Sequence, residues 1–237
     1  MSQYETLNTE KHRQLRIKTG YNAELGDAVT YVMTYPMEFR DIQSCYPILF
    51  TKDPNTGGFF AAAVLGLEPN QNLFLQDNSW DAAYVPALVQ RQPFLIATGG
   101  EGDDKPPVVS LDLDHPRVSA DDGERLFNSD GEPSEFLQQK IELLDKLHRG
   151  LQHGSGFIDT LLKHELLEQI TLDLAFNDGS KQTLQGFYCI AEERLYHLEG
   201  EVLRSLNQAG YLQPIFMAVA SLSRIRDLID RRNRQPV

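Results

Sequence analysis

The residues best suited to hold a ligand lie in the stretch NLFLQDNSWDAAYVPALVQRQPF, from Asn72 to Phe94. It contains the only tryptophan of the chain, Trp80, followed by Tyr84 and Arg91. Trp and Tyr supply flat apolar area, and an arginine supplies a fixed cation that stacks on an aromatic ring or clamps a carboxylate. An interpretation of equal weight makes Arg91 a structural salt bridge at the end of a helix.

The local spacing predicts how these side chains are positioned. Polar residues immediately before Trp80 can cap a helix, and Trp80, Tyr84 and Arg91 then recur on one helical face. Pro86 cannot donate a backbone N–H, so it kinks this helix or ends its first part. Trp80 and Arg91 share a face only if that break preserves the helical register.

Glu38 and Tyr46 lie in a second apolar stretch, YPMEFRDIQSCYPILF. The short segment after Glu38 predicts a helical turn that presents Phe39, Ile42 and Tyr46 on one side. Glu38 is then either a buried acid with a raised pKa or a residue stabilised by the helix dipole, and the second interpretation is favoured. We group Glu38 and Tyr46 with Trp80, Tyr84 and Arg91 as the predicted ligand-binding residues.

The run LDLDHP offers Asp112, Asp114 and His115 as oxygen and imidazole ligands for a metal ion. Because alternate side chains of a strand point the same way, the two aspartates would share a face and His115 would point away. No other histidine is placed by spacing to complete a site, so water-facing acids at a strand end are favoured. A metal-dependent oxygenase or hydrolase using these residues stays open as an alternative.

Strand signals dominate the first half of the chain and helix signals the second, which predicts an α+β fold. A polar N-terminal arm at residues 1–28 is followed by one domain over residues 29–237. Two apolar runs around PNTGG predict a hairpin, and two alternating runs around Asn-Asp-Gly-Ser predict a later one. Residues 133–151 predict an amphipathic helix, and the GSG motif at Gly154 to Gly156 predicts a loop before the next helix.

Composition limits the class of partner and the compartment. The chain has 237 residues, a net charge of -12 and 41% hydrophobic residues, so a nucleic-acid backbone is disfavoured as a partner. The first residues contain no apolar signal segment, and no stretch approaches a membrane span. Cys45 and Cys189 are far apart and fit neither a zinc site nor a disulfide framework. We expect a cytoplasmic protein without membrane insertion and without a cofactor.

Four segments together resemble the SapC family of surface-layer-associated SapC-like proteins. They follow in the expected order over most of the chain: YPMEFRDIQSCYPILF (Tyr35 to Phe50), the AVLGL and NLF elements (Ala63 to Phe74), W…YVPALVQRQPF (Trp80 to Phe94) and GERLFNSDGEPS (Gly123 to Ser134). Family members tend to have Arg-Tyr-Pro-Phe where this chain has Arg-Gln-Pro-Phe, so an aromatic residue is absent at Gln92.

The resemblance implies a bacterial accessory role and supplies no reaction or catalytic residues. Family members tend to be encoded beside flavin-dependent halogenase-like proteins and TonB-dependent receptors, which implies a role around uptake or modification of a ligand. The leading hypothesis is a non-enzymatic protein that holds a small ligand, a peptide or a protein partner, such as a halogenase-like neighbour, in an aromatic–cationic recess. A structural subunit that binds another protein through its helical half is the third hypothesis.

The recess hypothesis predicts that Arg91→Ala weakens ligand or partner binding without unfolding the chain. The reason is that an arginine in a binding recess contributes a charged contact to the ligand rather than to the core. Thermal unfolding and capture of co-purifying molecules measure the two effects separately. Collapse of the fold would make Arg91 a structural residue.

Overall fold

The computed structural model describes residues 3–97 and 108–235. The sequence GGEGDD, from Gly99 to Asp104, indicates an acidic, glycine-rich loop, and it lies outside the described residues. In chain order the strands are β1 (Tyr4–Thr6), β2 (Arg16–Ile17), β3 (Tyr31–Thr34), β4 (Ile48–Lys52), β5 (Phe59–Val64), β6 (Leu75–Gln76), β7 (Ser79–Trp80), β8 (Phe94–Ala97), β9 (Val108–Asp112), β10 (Val118–Ser119), β11 (Glu124–Arg125), β12 (Leu167–Ala175) and β13 (Lys181–Ile190). The helices are α1 (Thr9–His12), α2 (Phe39–Ile42), α3 (Ala87–Gln90), α4 (Glu135–Lys163), α5 (Glu192–Tyr196), α6 (Gly200–Gln208), α7 (Leu212–Ser221) and α8 (Ile225–Arg234). The α+β prediction is confirmed.

The chain forms two compact units, each built from several segments. Unit 1 comprises Met1–Ala28, Leu75–Trp80 and Ala87–Arg149. Unit 2 comprises Val29–Phe74, Asp81–Pro86 and Gly150–Val237. None of the helices in the described ranges combines the length and the apolar character that crossing a bilayer requires.

Unit 1 contains three small antiparallel sheets. Their strand orders are β1-β9-β8, β10-β2-β11 and the β6-β7 hairpin. The residues predicted as a polar arm therefore supply β1 and β2, which pair with strands more than 90 residues later in the chain. A buried ion pair also joins these two parts of unit 1. The Arg117 guanidinium donates to both carboxylate oxygens of Asp27 at 2.8 Å.

Unit 2 is organised around one antiparallel sheet with the order β12-β13-β4-β5-β3. Both predicted hairpins are confirmed as the β4–β5 and β12–β13 pairs. The second turns at Gly179, whose φ of 84° suits glycine in the Asn-Asp-Gly-Ser turn. Helix α7 packs on β4 and β13, and the buried Ser221 hydroxyl accepts the Ile48 backbone N–H at 2.8 Å.

Helix α4 runs without a break through the GSG motif, so the predicted glycine loop is wrong. Glycine lowers helix stability but does not end a helix when neighbouring side chains pack on it. Here a β-carbon on Gly150 would lie 2.2 Å from the Tyr35 ring, and one on Gly156 would lie 2.7 Å from the Tyr211 hydroxyl. The glycines allow two tyrosines of unit 2 to lie directly on the helix backbone.

The predicted helix from Trp80 to Arg91 is also wrong. Trp80 lies on β7, Tyr84 lies in an irregular segment, and only Ala87–Gln90 is helical. Asp77 and Asn78 have φ values of 48° and 60°, which places them in the left-handed region. They form the two-residue turn of the β6–β7 hairpin, since Asp and Asn tolerate that conformation in tight turns better than most residues.

The glycines of α4 give a paired prediction. Gly150→Ala should destabilise the protein by about 1–3 kcal/mol, because the new methyl group overlaps the buried Tyr35 ring. A β-carbon at Gly154 would lie 3.7 Å from its nearest neighbour, which is an ordinary contact. Gly154→Ala should therefore stabilise the protein by about 0.5–1 kcal/mol through the higher helix propensity of alanine. Urea unfolding measures both changes. Equal effects at the two positions would contradict the packing described for Tyr35.

Candidate functional site

The Glu38 carboxylate forms the centre of a hydrogen-bond network in unit 2. It is only 3% exposed, and its two oxygens accept hydrogen bonds from Thr34 Oγ1 at 2.7 Å and from the Tyr84 hydroxyl at 2.9 Å. Thr34 ends β3, whereas Glu38 precedes α2. A buried carboxylate needs such donors, because an uncompensated buried charge is strongly unfavourable. Glu38 therefore links β3, α2 and the segment that carries Tyr84.

The segment Asp81–Pro86 is held against the rest of unit 2 by contacts of Asp81 and Tyr84. The buried Tyr46 hydroxyl donates to the Tyr84 carbonyl oxygen. The Arg231 guanidinium pairs with the Asp81 carboxylate at 2.6 Å and stacks on the Phe74 ring 4.2 Å from its centre. The structure thus brings three of the five predicted binding residues together: Glu38, Tyr46 and Tyr84.

The network keeps its tyrosines protonated. Burial, reinforced by the Glu38 carboxylate and its hydrogen bond, raises the pKa of Tyr84 well above its ordinary value. Burial and the same carboxylate also raise the pKa of Tyr35. Both phenols therefore keep their proton at neutral pH, and Tyr84 donates its proton to the Glu38 carboxylate in a hydrogen bond.

An aromatic pocket of about 210 Å³ lies beside this network, between the sheet edge β3–β5 and the second half of α4. Apart from Thr34 and Ser155, the residues that line it are apolar or aromatic. The full lining is Met33, Thr34, Tyr35, Pro36, Phe59, Phe60, Ala61, Leu151, Gly154, Ser155, Phe157 and Ile158. Thr34 belongs both to the pocket wall and to the Glu38 network. We refer to this cavity as the aromatic pocket.

Packed rings hold the walls of the aromatic pocket. Phe157 is fully buried and meets Phe39 at 5.9 Å and Tyr211 at 5.4 Å, with near-perpendicular ring planes. Phe60 packs on Tyr31 at 6.3 Å. The edge-to-face contacts of Phe157 favour one arrangement of its ring, so this side of the pocket is preformed.

A second pocket, of about 270 Å³, lies next to the first and has a polar side. We call it the Arg40 pocket. Pro36 lines both pockets, and the consecutive residues His153 and Gly154 line one each. The Arg40 pocket is completed by Met37, Arg40, Ala209, Gly210, Tyr211, Gln213, Pro214 and Met217.

Trp80 and Arg91 both belong to unit 1. Trp80 is 9% exposed and meets the Tyr21 ring edge-on at 5.6 Å. Tyr21 in turn lies under the Arg117 guanidinium, 5.2 Å from the ring centre. In this unit Trp80 therefore takes part in core packing next to the buried Asp27–Arg117 pair.

Arg91 is half-buried, and its Nη1 donates to the Phe94 carbonyl oxygen at 2.7 Å. No carboxylate of residues 3–97 or 108–235 forms an ion pair with it, so the predicted salt-bridge interpretation finds no partner in that part of the chain. Burial lowers the pKa of Arg91, although a guanidinium stays charged at neutral pH. Arg91 is thus a cation that is partly withdrawn from water.

Asp112 ends β9, whereas Asp114 and His115 lie in the turn that follows it, so the three residues do not share one continuous strand. Asp112 accepts the Asp114 backbone N–H at 3.2 Å, Asp114 accepts that of Gln3 at 2.9 Å, and His115 Nδ1 accepts that of Arg117 at 3.2 Å. Burial and the Arg117 charge lower the pKa of His115. Within the described residues, no three or more His, Cys, Asp or Glu side chains are grouped to hold a metal ion.

Sequence reasoning missed the aromatic pocket itself. Its walls come from residues that carry no chemical motif, such as Tyr35, Phe60 and Leu151. The available signal was the glycine pair Gly150 and Gly154, four residues apart in a helical sequence. Small residues at helical spacing allow a neighbouring chain to approach closely, and here that chain is the Tyr35 segment.

Comparison with known proteins identifies a family. The SapC family model matches residues 7–228, a range that takes in most of both units. A search of curated proteins and a search of solved structures each found no match.

The network makes a prediction for Tyr84. Tyr84→Phe removes the donor to a buried carboxylate and should lower the free energy of unfolding by about 1.5–3 kcal/mol, measured in urea near pH 8. The control Tyr31→Phe changes a partly exposed tyrosine and should stay within about 0.5 kcal/mol of the parent.

The same variant predicts a pH dependence. Folding raises the pKa of Tyr84 above its unfolded value of about 10. The contribution of the Tyr84 hydroxyl to the free energy of unfolding is therefore complete below about pH 10 and is lost as the pH rises further. The stability difference between the parent and Tyr84→Phe should therefore shrink above about pH 10. A difference that grows with alkaline pH would contradict the assigned hydrogen bond.

Proposed function

The chain belongs to the SapC family, and we propose that it is a non-enzymatic binding protein that holds an apolar group of a small ligand in the aromatic pocket of unit 2. The observation that carries the proposal is a pocket lined almost wholly by apolar and aromatic side chains, beside a buried hydrogen-bond network. Such a combination is typical of small-molecule sites.

The size of the aromatic pocket limits what it accepts. It measures about 210 Å³, and an apolar cavity of roughly 150 Å³ is enough to hold benzene. No charged residue of the described chain lines it, so the bound group is neutral and apolar. One six-membered ring with a short substituent fits these limits.

Two of the predicted binding residues then act as positioning residues. Glu38 fixes the Thr34 hydroxyl in the pocket wall, and Tyr84 holds the other oxygen of the same carboxylate. Thr34 is thereby held in one rotamer, and its hydroxyl hydrogen is donated to Glu38. The hydrogen bond to Glu38 therefore fixes the orientation of the Thr34 side chain in the pocket wall.

The wider role that we propose is accessory: the protein holds a ligand for a bacterial uptake or modification system. Support comes from the family resemblance, which associates such proteins with halogenase-like enzymes and outer-membrane receptors. The proposed location is the cytoplasm. Under this proposal the chain delivers or retains a ligand and a separate protein carries out any chemistry.

Benzyl alcohol tests the aromatic pocket directly. It should bind the parent chain with a dissociation constant on the order of 1 mM, as expected for so few heavy atoms. Backbone amide resonances of the Tyr35 and Gly154 segments should shift during an NMR titration. Ser155→Trp, at an exposed helix position on the pocket wall, should abolish the shifts by filling the cavity.

Ser155→Ala is the matched control, because it changes the same position without filling the pocket. It should bind benzyl alcohol like the parent, and both variants should show a cooperative urea transition. The proposed function fails if the parent shows no saturable shifts at the pocket, or if Ser155→Trp binds as well as Ser155→Ala.

A further inference from the structure

We infer that the Arg40 pocket binds a carboxylate, so that the ligand is a small organic acid with an aromatic or short aliphatic tail. The tail occupies the aromatic pocket, and the acid group lies against Arg40. This inference rests on the proposed function, because it assigns the second half of a ligand whose first half occupies the aromatic pocket.

The two pockets share a wall residue and lie along the same stretch of α4. Pro36 forms part of both walls, and α4 crosses from one to the other between Gly154 and His153. Beyond Pro36 the wall continues as Met37, which is 64% exposed. A flexible exposed methionine adapts to ligands of different shape. The two cavities of about 210 and 270 Å³ therefore offer an apolar and a polar compartment side by side.

The charge of the linings selects an anion. The chain carries 34 Asp and Glu residues against 22 Lys and Arg, yet no acidic side chain of the described residues lines either pocket. Glu38, the nearest acid in sequence to the shared Pro36 wall, is buried with both oxygens occupied by Thr34 and Tyr84. Arg40 is the permanently charged side chain of the Arg40 pocket.

Arg40 is available for an external anion. Its side chain is exposed, and among residues 3–97 and 108–235 no carboxylate forms an ion pair with it. Several other arginines of unit 2 form ion pairs, as Arg231 does with Asp81 and Arg224 does with Asp227 at 2.8 Å. A guanidinium presents paired N–H donors that match a carboxylate, and Gln213 adds an amide to the same wall.

Matched acid and alcohol probes test the inference. 3-Phenylpropionate and 4-phenylbutyrate should bind the parent chain about fivefold more tightly than 3-phenyl-1-propanol, the size expected of an exposed ion pair, in calorimetric titrations at low salt. Arg40→Ala should remove the preference by weakening acid binding more than alcohol binding. Arg40→Lys should retain part of the preference for the acids, and added salt should weaken the binding of the acids but not that of the alcohol.

Two control variants separate Arg40 from general charge effects. Arg226→Ala removes an exposed arginine of unit 2 that lines neither pocket, and it should keep the preference. Lys52 is a cation beside the aromatic pocket, because its ammonium lies 4.9 Å from the centre of the Phe59 ring in the pocket wall. Lys52→Ala should also keep the preference, and loss of it there but not in Arg40→Ala would overturn the assignment.

Failure of this inference differs from failure of the proposed function. If acid and alcohol bind the parent equally, and Ser155→Trp abolishes both, the carboxylate assignment is overturned while the aromatic pocket stands. If neither probe binds the parent, both the pocket and the carboxylate assignment are overturned.

Discussion

The hydrogen bonds to the buried Glu38 carboxylate are the constraint on which the pocket side of unit 2 depends. Thr34 and Glu38 lie at the two ends of the turn between β3 and α2, and Tyr84 comes from a segment further along the chain; the Glu38 carboxylate holds them together. A buried charge stabilises little by itself, but removing one of its donors leaves an uncompensated oxygen. The network therefore fixes a geometry more than it adds stability. The geometry that it fixes is the turn from β3 into α2, which forms the wall shared by both pockets.

The glycines of α4 are the second constraint, and they act on the same turn. Tyr35 lies on Gly150, and Pro36 is 3.8 Å from where a β-carbon of Gly154 would lie. Each glycine lowers the intrinsic stability of the helix by about 0.5–1 kcal/mol relative to alanine. At Gly150 this loss is offset by burial of the Tyr35 ring. At Gly154 no clash requires glycine, and the small residue leaves open the space that becomes the aromatic pocket.

The sequence predicted elements where local pattern and tertiary structure agree. Both unit 2 hairpins have alternating strands around turn residues, and both form. The helix from Trp80 failed because Asp77 and Asn78 fit two roles, helix cap and hairpin turn, and local chemistry does not separate them. The left-handed φ of both residues shows that the turn prevailed. Three of the five predicted site residues, Glu38, Tyr46 and Tyr84, do lie together, although they were grouped by motif and not by distance.

Sequence reasoning looks for side chains with chemical groups, whereas this pocket is defined by space. Trp80 attracted attention as the only tryptophan of the chain, yet its ring is buried against Tyr21. The aromatic pocket depends instead on the missing side chain at Gly154, and none of the described residues that line it is an acid, in a chain with a net charge of -12. Because the chain as a whole is acidic, a lining around Arg40 with no acid among its described residues favours an anionic ligand at that pocket. A carboxylate in that lining would compete for the guanidinium, so the acid-free lining leaves the cation open to a ligand.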